Sequence, residues 1–172
     1  MTHRKLSVLA LGLVAALAAC ARDASVAGVR AYRNLSRTHQ AGEITYAQRP
    51  AVGGAHNPGW QDCGVYDSPV ADELAAHSLE HGAVWIAYRA DLPAADVRAL
   101  SQFALGRSHV LVSPYAGDLP TPVVASAWGT QLQLARADDA RLKQFVEKYE
   151  QGPQTPEPGA PCEGGVSRPT SP

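Results

Sequence analysis

The residues best suited to chemistry lie in one short string, His77-Ser78-Leu79-Glu80-His81. On a helix turning about 100° per residue, His77 and His81 stand about 40° apart. Glu73 and Glu80 flank them on the same side, while Ala75 and Leu79 point the other way, toward a core. Two imidazoles spaced i, i+4 can chelate one metal ion, and a neighbouring carboxylate can orient a ring or ligate. The bland alternative is a solvated polar face, since such pairs arise easily by accident. The string also fits H-x-x-E-H, the inverted zinc-peptidase motif in which the Glu is the general base. Its context fits that motif poorly. Gly82 ends the helix directly after His81, and downstream acids such as Glu157 lie in a proline-rich tail.

His56 is the next candidate, in Gly53-Gly54-Ala55-His56-Asn57-Pro58. Glycines let a loop approach a site closely. Joined to the helical pair, His56 would complete a three-histidine set with a fourth position open, which suits zinc or Cu(II). The expected ligands are therefore His56, His77 and His81, with Glu73 and Glu80 as supporting carboxylates. His109 opens a strand and His39 falls in a tether, so both rank lower. Trp60 and Trp128 could line a pocket, whereas Trp85 inside an apolar run reads as core. No serine nucleophile elbow, phosphate loop or dinucleotide fingerprint is present.

These residues need elements to position them. Alternation predicts a strand at 43–47, and 63–66 is a short strand candidate. Residues 49–62 are a loop by their Pro and Gly content. A helix is expected at 71–81, capped by Asp72 or Ser68, with Gly82 as its C′ residue. A buried strand follows at 83–88, a helix at 93–105 opened by Pro93, and a strand at 109–112. The strand–helix–strand segment could form a right-handed crossover. Strands at 122–127 and 131–135 and a helix at 138–149 capped by Asp138 complete the pattern. The expected architecture is a single α+β domain: a mixed β-sheet of five or six short strands with about three helices.

Composition bounds the function. The 172 residues carry 15 Lys+Arg against 16 Asp+Glu, which offers no basic surface for nucleic acid. Residues 1–20 read MTHRKLSVLALGLVAALAAC. Arg4 and Lys5 precede an apolar run that is too short for a comfortable membrane span and right for a signal segment. Leu17-Ala18-Ala19-Cys20 is similar to a bacterial lipobox, in which the cysteine becomes lipidated and leads the mature chain. Loss of residues 1–19 would leave 13 basic against 16 acidic residues, a net of −3. The expected division is a signal peptide at 1–19, a lipidated Cys20 with a tether to 42, a globular domain at 43–150, and a tail at 151–172. The tail holds six of the 13 prolines and reads as extended.

The three cysteines then resolve. Cys20 takes the lipid, and Cys63 and Cys162 remain as an even pair in a compartment where thiols are oxidised. A Cys63–Cys162 disulfide pinning the tail is the simplest outcome; Cys63 as a metal thiolate is the rival. The sole Met is the initiator, which excludes a methionine-rich copper site.

Five strings occur in order: GGAHN at 53–57, CGVY at 63–66, HSLEHGAVW at 77–85, SPY at 113–115 and AWG at 127–129. Together they resemble the bacterial family catalogued as domain of unknown function 3105, over residues 43–165. The resemblance implies an exported domain, anchored by a lipid or a membrane helix, and no named activity. It implies that His56, His77 and His81 belong to the family's motifs, and it is compatible with a bridge between Cys63 and Cys162. The resulting expectation is a lipid-anchored protein of the bacterial cell envelope, held to the membrane through Cys20. It would bind copper or zinc with a histidine cluster, without catalysis. The alternatives are a zinc-dependent hydrolase with Glu80 as base, and a non-catalytic envelope interaction domain. No protein partner can be read from the residues.

Overall fold

The computed structural model describes residues 25–170. The signal segment and Cys20 lie outside the described residues. Among the described residues are six strands and three helices in one mixed sheet, the α+β arrangement expected. The strands are β1 (Arg30–Ala31), β2 (Gly64–Val65), β3 (Val84–Tyr88), β4 (Val110–Pro114), β5 (Val123–Ala127) and β6 (Thr130–Leu134). The helices are α1 (Asp72–Glu80), α2 (Ala94–Ser101) and α3 (Ala140–Tyr149). Strand order across the sheet is β1-β6-β5-β3-β4-β2. β3, β4 and β2 run parallel to one another; β5, β6 and β1 pair antiparallel. β3 and β4 are joined through α2, as the crossover expectation required.

Both sheet faces are covered, so the central strands are apolar on both sides. Val84, Ile86, Val110, Val112, Val123, Leu132 and Leu134 face a core with Leu100 of α2 and Leu142, Phe145 and Val146 of α3. Trp85, Leu111 and Val124 face the other way, onto Ala75 and Leu79 of α1. Trp85 is core, as expected, and its indole N–H donates to Ser113 Oγ at 2.9 Å.

Several local expectations are corrected. No strand forms at 43–47. Its alternation is real, with Ile44 and Tyr46 half-buried between exposed neighbours, but it pairs with no strand of the sheet. Tyr46 instead donates its hydroxyl to Ala55 O at 2.7 Å. The N-terminus of α1 takes no side-chain cap. Asp72 spends its carboxylate on Ala51 N and the Tyr115 hydroxyl, and Ser68 bonds Asp67. α3 is capped by Asp139 rather than Asp138, which pairs with Arg136. Gly82 does follow α1 with φ +100°, the left-handed conformation a helix-ending glycine adopts.

The segment read as a tether is part of the fold from residue 25 onward. Val26 is buried, β1 pairs with β6, and residues 38–40 run beside His56 through Gln40 N→His56 O and His56 N→Thr38 O. The tail also packs. Gln151 N donates to Gly82 O and Glu157 N to Glu80 O, and Cys162 is bonded to Cys63. The disulfide closes a separation of 99 residues. It removes Cys63 from consideration as a metal thiolate. No helix among the described residues is long and apolar enough to cross a membrane.

Candidate metal centre

α1 is buried on more than its apolar face. His77, Ser78, Glu80 and His81 are all buried beside Ala75, Ala76 and Leu79. The polar face, which the bland alternative would leave in solvent, is roofed by residues 36–40, the loop 53–61 and the tail. Each roof is fastened by backbone bonds. Asn57 N donates to Glu73 O and Gln61 N to Leu74 O, while Ser78 Oγ donates to Gln61 O at 2.6 Å.

The loop carries His56 inward because Gly53 and Gly54 take φ of +114° and +112°. At Gly53 a side chain would also collide with the Trp128 ring, 2.8 Å from the place of its Cβ. Glycine there is demanded by backbone conformation and by close approach together.

Four groups converge: His39, His56, His77 and Glu80 each offer a ligand atom, all within 4.8 Å of one another. Ring centroids separate His56 from His77 by 4.7 Å and His39 from each of them by 5.0 Å. His39 is exposed, while His56, His77 and Glu80 are buried. His56 Nδ1 donates to Gly54 O and His77 Nδ1 to Asn57 O, both at 2.7 Å. A carbonyl can only accept, so these bonds fix the Nδ1–H tautomer and leave the Nε2 lone pairs free. Burial holds the His77 imidazolium unfavourable and pushes its pKa below the ordinary value. The Asn57 carbonyl opposes that shift, and the neighbouring histidines add to it.

Glu80 is bound at both oxygens. Oε1 accepts from Arg37 Nε at 2.6 Å, and Oε2 lies 2.9 Å from His56 Nε2. That second approach is close but lacks hydrogen-bond alignment: His56 Nε2 is a buried nitrogen without a hydrogen-bond partner. When Nδ1 carries the only ring proton, the Nε2 lone pair faces this oxygen; a proton or a metal ion on Nε2 balances the buried carboxylate.

The expected residues therefore separate. His56 and His77 come together, and Glu80 joins them as a potential ligand rather than only as a support. His81 stays outside the four-group set. Its ring meets His77 edge-on at 4.6 Å, its Nδ1 donates to Pro161 O at 2.7 Å, and its Nε2 is 3.8 Å from Glu157 Oε2. Glu73 is also outside, tied to the roof by its backbone carbonyl. His109 is separate, with Nε2 3.0 Å from Ala160 O. Trp60 lies 5.7 Å from His77 and 5.1 Å from His81, and Trp128 lies 5.9 Å from His56, so both indoles wall the cluster.

Sequence reasoning ranked His39 low and gave Arg37 no role, because composition placed the domain boundary at 43. Fold and cluster together define an α+β domain with a buried histidine–carboxylate centre roofed by both ends of the chain. The chain belongs to a family of proteins of unknown function, DUF3105, whose model matches residues 37–164. The match begins at Arg37 and so takes in both Arg37 and His39. No curated protein and no solved structure matches the chain.

Proposed function

We propose that the protein is a lipid-anchored, extracytoplasmic metal-binding protein of the bacterial envelope. It holds one Cu(II) or Zn(II) ion on His39, His56, His77 and Glu80 for handling or delivery. One observation carries this reading: the Nδ1 protons of His56 and His77 are committed to backbone carbonyls, so their Nε2 lone pairs are presented as ligands beside a buried carboxylate. Carbonyl-oriented imidazoles are the usual form of metal-binding histidine. Three nitrogens and one oxygen suit Cu(II) or Zn(II). Around a tetrahedral ion with bonds of about 2 Å, ligand atoms sit about 3.3 Å apart. The four ligand atoms lie within 4.8 Å of one another, so closing on an ion takes side-chain shifts on the order of 1 Å.

The hydrolase alternative is weaker. A catalytic zinc keeps one position open, whereas this set supplies four ligands. Glu80 gives Oε1 to Arg37 and turns Oε2 toward His56. The lipobox ending at Cys20 and the Cys63–Cys162 disulfide support the envelope location, since disulfides persist where thiols are oxidised.

Elemental analysis of the purified mature protein, wild type against His77→Ala, tests the reading. The expected result is one equivalent of Cu(II) or Zn(II) in the wild type and an affinity at least about 100-fold lower in the variant. Equal metal content in the two would refute it.

A further inference from the structure

The buried centre has a partial copy of itself in which the imidazole is buried and the carboxylate is exposed. Glu80 and Glu157 are used alike. Each gives Oε1 to Arg37, at 2.6 Å from Nε and 3.0 Å from the terminal nitrogen, and each turns Oε2 toward an imidazole Nε2. For Glu80 that imidazole is His56; for Glu157 it is His81 at 3.8 Å. His81, like His56, has its Nδ1 proton committed to a backbone carbonyl, that of Pro161, so its Nε2 is a free lone pair. The difference is access. The Glu80 side chain is 2% exposed and that of Glu157 is 45% exposed. The outer pair is also rigidly placed. Glu157 N bonds Glu80 O, and Pro161 adjoins the disulfide at Cys162.

We infer that His81 and Glu157 form a second, outer site for the same class of divalent ion, the first station on its way to the buried centre. This rests on the buried centre being a metal site. An arriving ion meets the exposed Glu157 carboxylate and the His81 lone pair. Two ligands hold it weakly, as a transfer station requires. Its charge repels the Arg37 guanidinium, which bridges both carboxylates, and that frees Oε1 of Glu80. The ion then exchanges His81 for His77, whose ring is 4.6 Å away, and passes to His56 and Glu80. It stays divalent throughout, and each step trades one neutral nitrogen or carboxylate oxygen for another.

Stopped-flow mixing of the mature protein in detergent micelles with Cu(II) alone tests this. Indole quenching is the readout, because Trp60 lies against both His77 and His81. His81→Gln and the surface variant Glu157→Gln, whose amide oxygen still accepts from Arg37, should bind the tight equivalent within about threefold of wild type. Both should load it about tenfold more slowly, the low end of what a charged approach contributes to an on-rate. Loading of either variant at the wild-type rate would overturn the outer site and leave approach past exposed His39. Loss of the tight equivalent in His81→Gln, to the extent caused by His77→Ala, would also overturn it and make His81 a ligand of the buried centre. If His77→Ala itself binds as wild type does, the buried centre fails instead, a result separate from both.

Discussion

The two sides of the sheet are built on different rules. On the α2 and α3 side only hydrocarbon meets hydrocarbon: Phe145, Leu142 and Val146 pack onto Ile86, Val112 and Leu134 with no buried charge among them. On the α1 side a thin apolar layer of Trp85, Leu79 and Leu111 gives way to a polar layer of His77, Ser78, Glu80 and His81, all buried. Burying such groups is unfavourable unless each finds a partner. Here the loop supplies Asn57 for His77 and Gln61 for Ser78, and more remote segments supply Arg37 for Glu80 and Pro161 for His81. One side of the sheet supplies stability, and the other places chemistry on that support.

The largest test of this division is the disulfide. Replacing Cys63 and Cys162 by Ser releases a loop of about 100 residues, worth about 4–5 kcal/mol by loop entropy. Denaturant titration should show that loss. Metal affinity should fall as well, because the tail carrying Pro161 and Glu157 is no longer pinned. Unchanged affinity in the folded variant would mean that the tail does not support the centre.

Phe145→Ala comes next. It empties a fully buried position on the apolar side and should cost about 3–5 kcal/mol in denaturant unfolding. Metal affinity measured well below the unfolding transition should stay within a few-fold of wild type. A large loss of affinity would show the two sides to be coupled through the sheet.

The smallest effect is at Asp139. Its carboxylate accepts from Arg141 Nε and from Arg141 N at the start of α3, and those bonds hold its pKa down at about 2. A carboxyl depressed in the folded state stabilises it above the unfolded pKa, and that contribution disappears as pH falls through the folded pKa. Asp139→Ala should therefore cost about 1 kcal/mol at neutral pH. The difference from wild type should shrink between about pH 4 and pH 2, as thermal melts across that range would reveal. A difference independent of pH would remove the carboxylate from the explanation.

Legibility followed the same division. The strands at 83–88 and 122–127 were visible because a strand covered on both faces is a largely apolar run, and 131–135 because Leu132 and Leu134 alternate with Gln131 and Gln133. α3 was visible because Leu142, Phe145 and Val146 recur at helical spacing. The i, i+4 pairing of His77 and His81 was visible too, but not which of the two joins the centre. Periodicity says which residues share a face; it does not say what covers that face. Alternation at 43–47 misled for the related reason that a strand also needs a partner strand, and this segment pairs with none. Arg37 and His39 sit in a stretch without apolar pattern, held by backbone bonds to the loop at His56 and by the two ion pairs of Arg37.

The sequence by itself determined the elements, the family motifs, and a set of histidines with no soft sulfur ligand left beside them. Those follow from local spacing and composition, which act over a few residues. Only the tertiary structure decided that His39 replaces His81 in the four-group set, that Glu80 faces His56, and that Arg37 bridges two carboxylates. Those contacts join residues separated by 17 to 120 positions, through packing and backbone hydrogen bonds that leave no periodic trace in the chain.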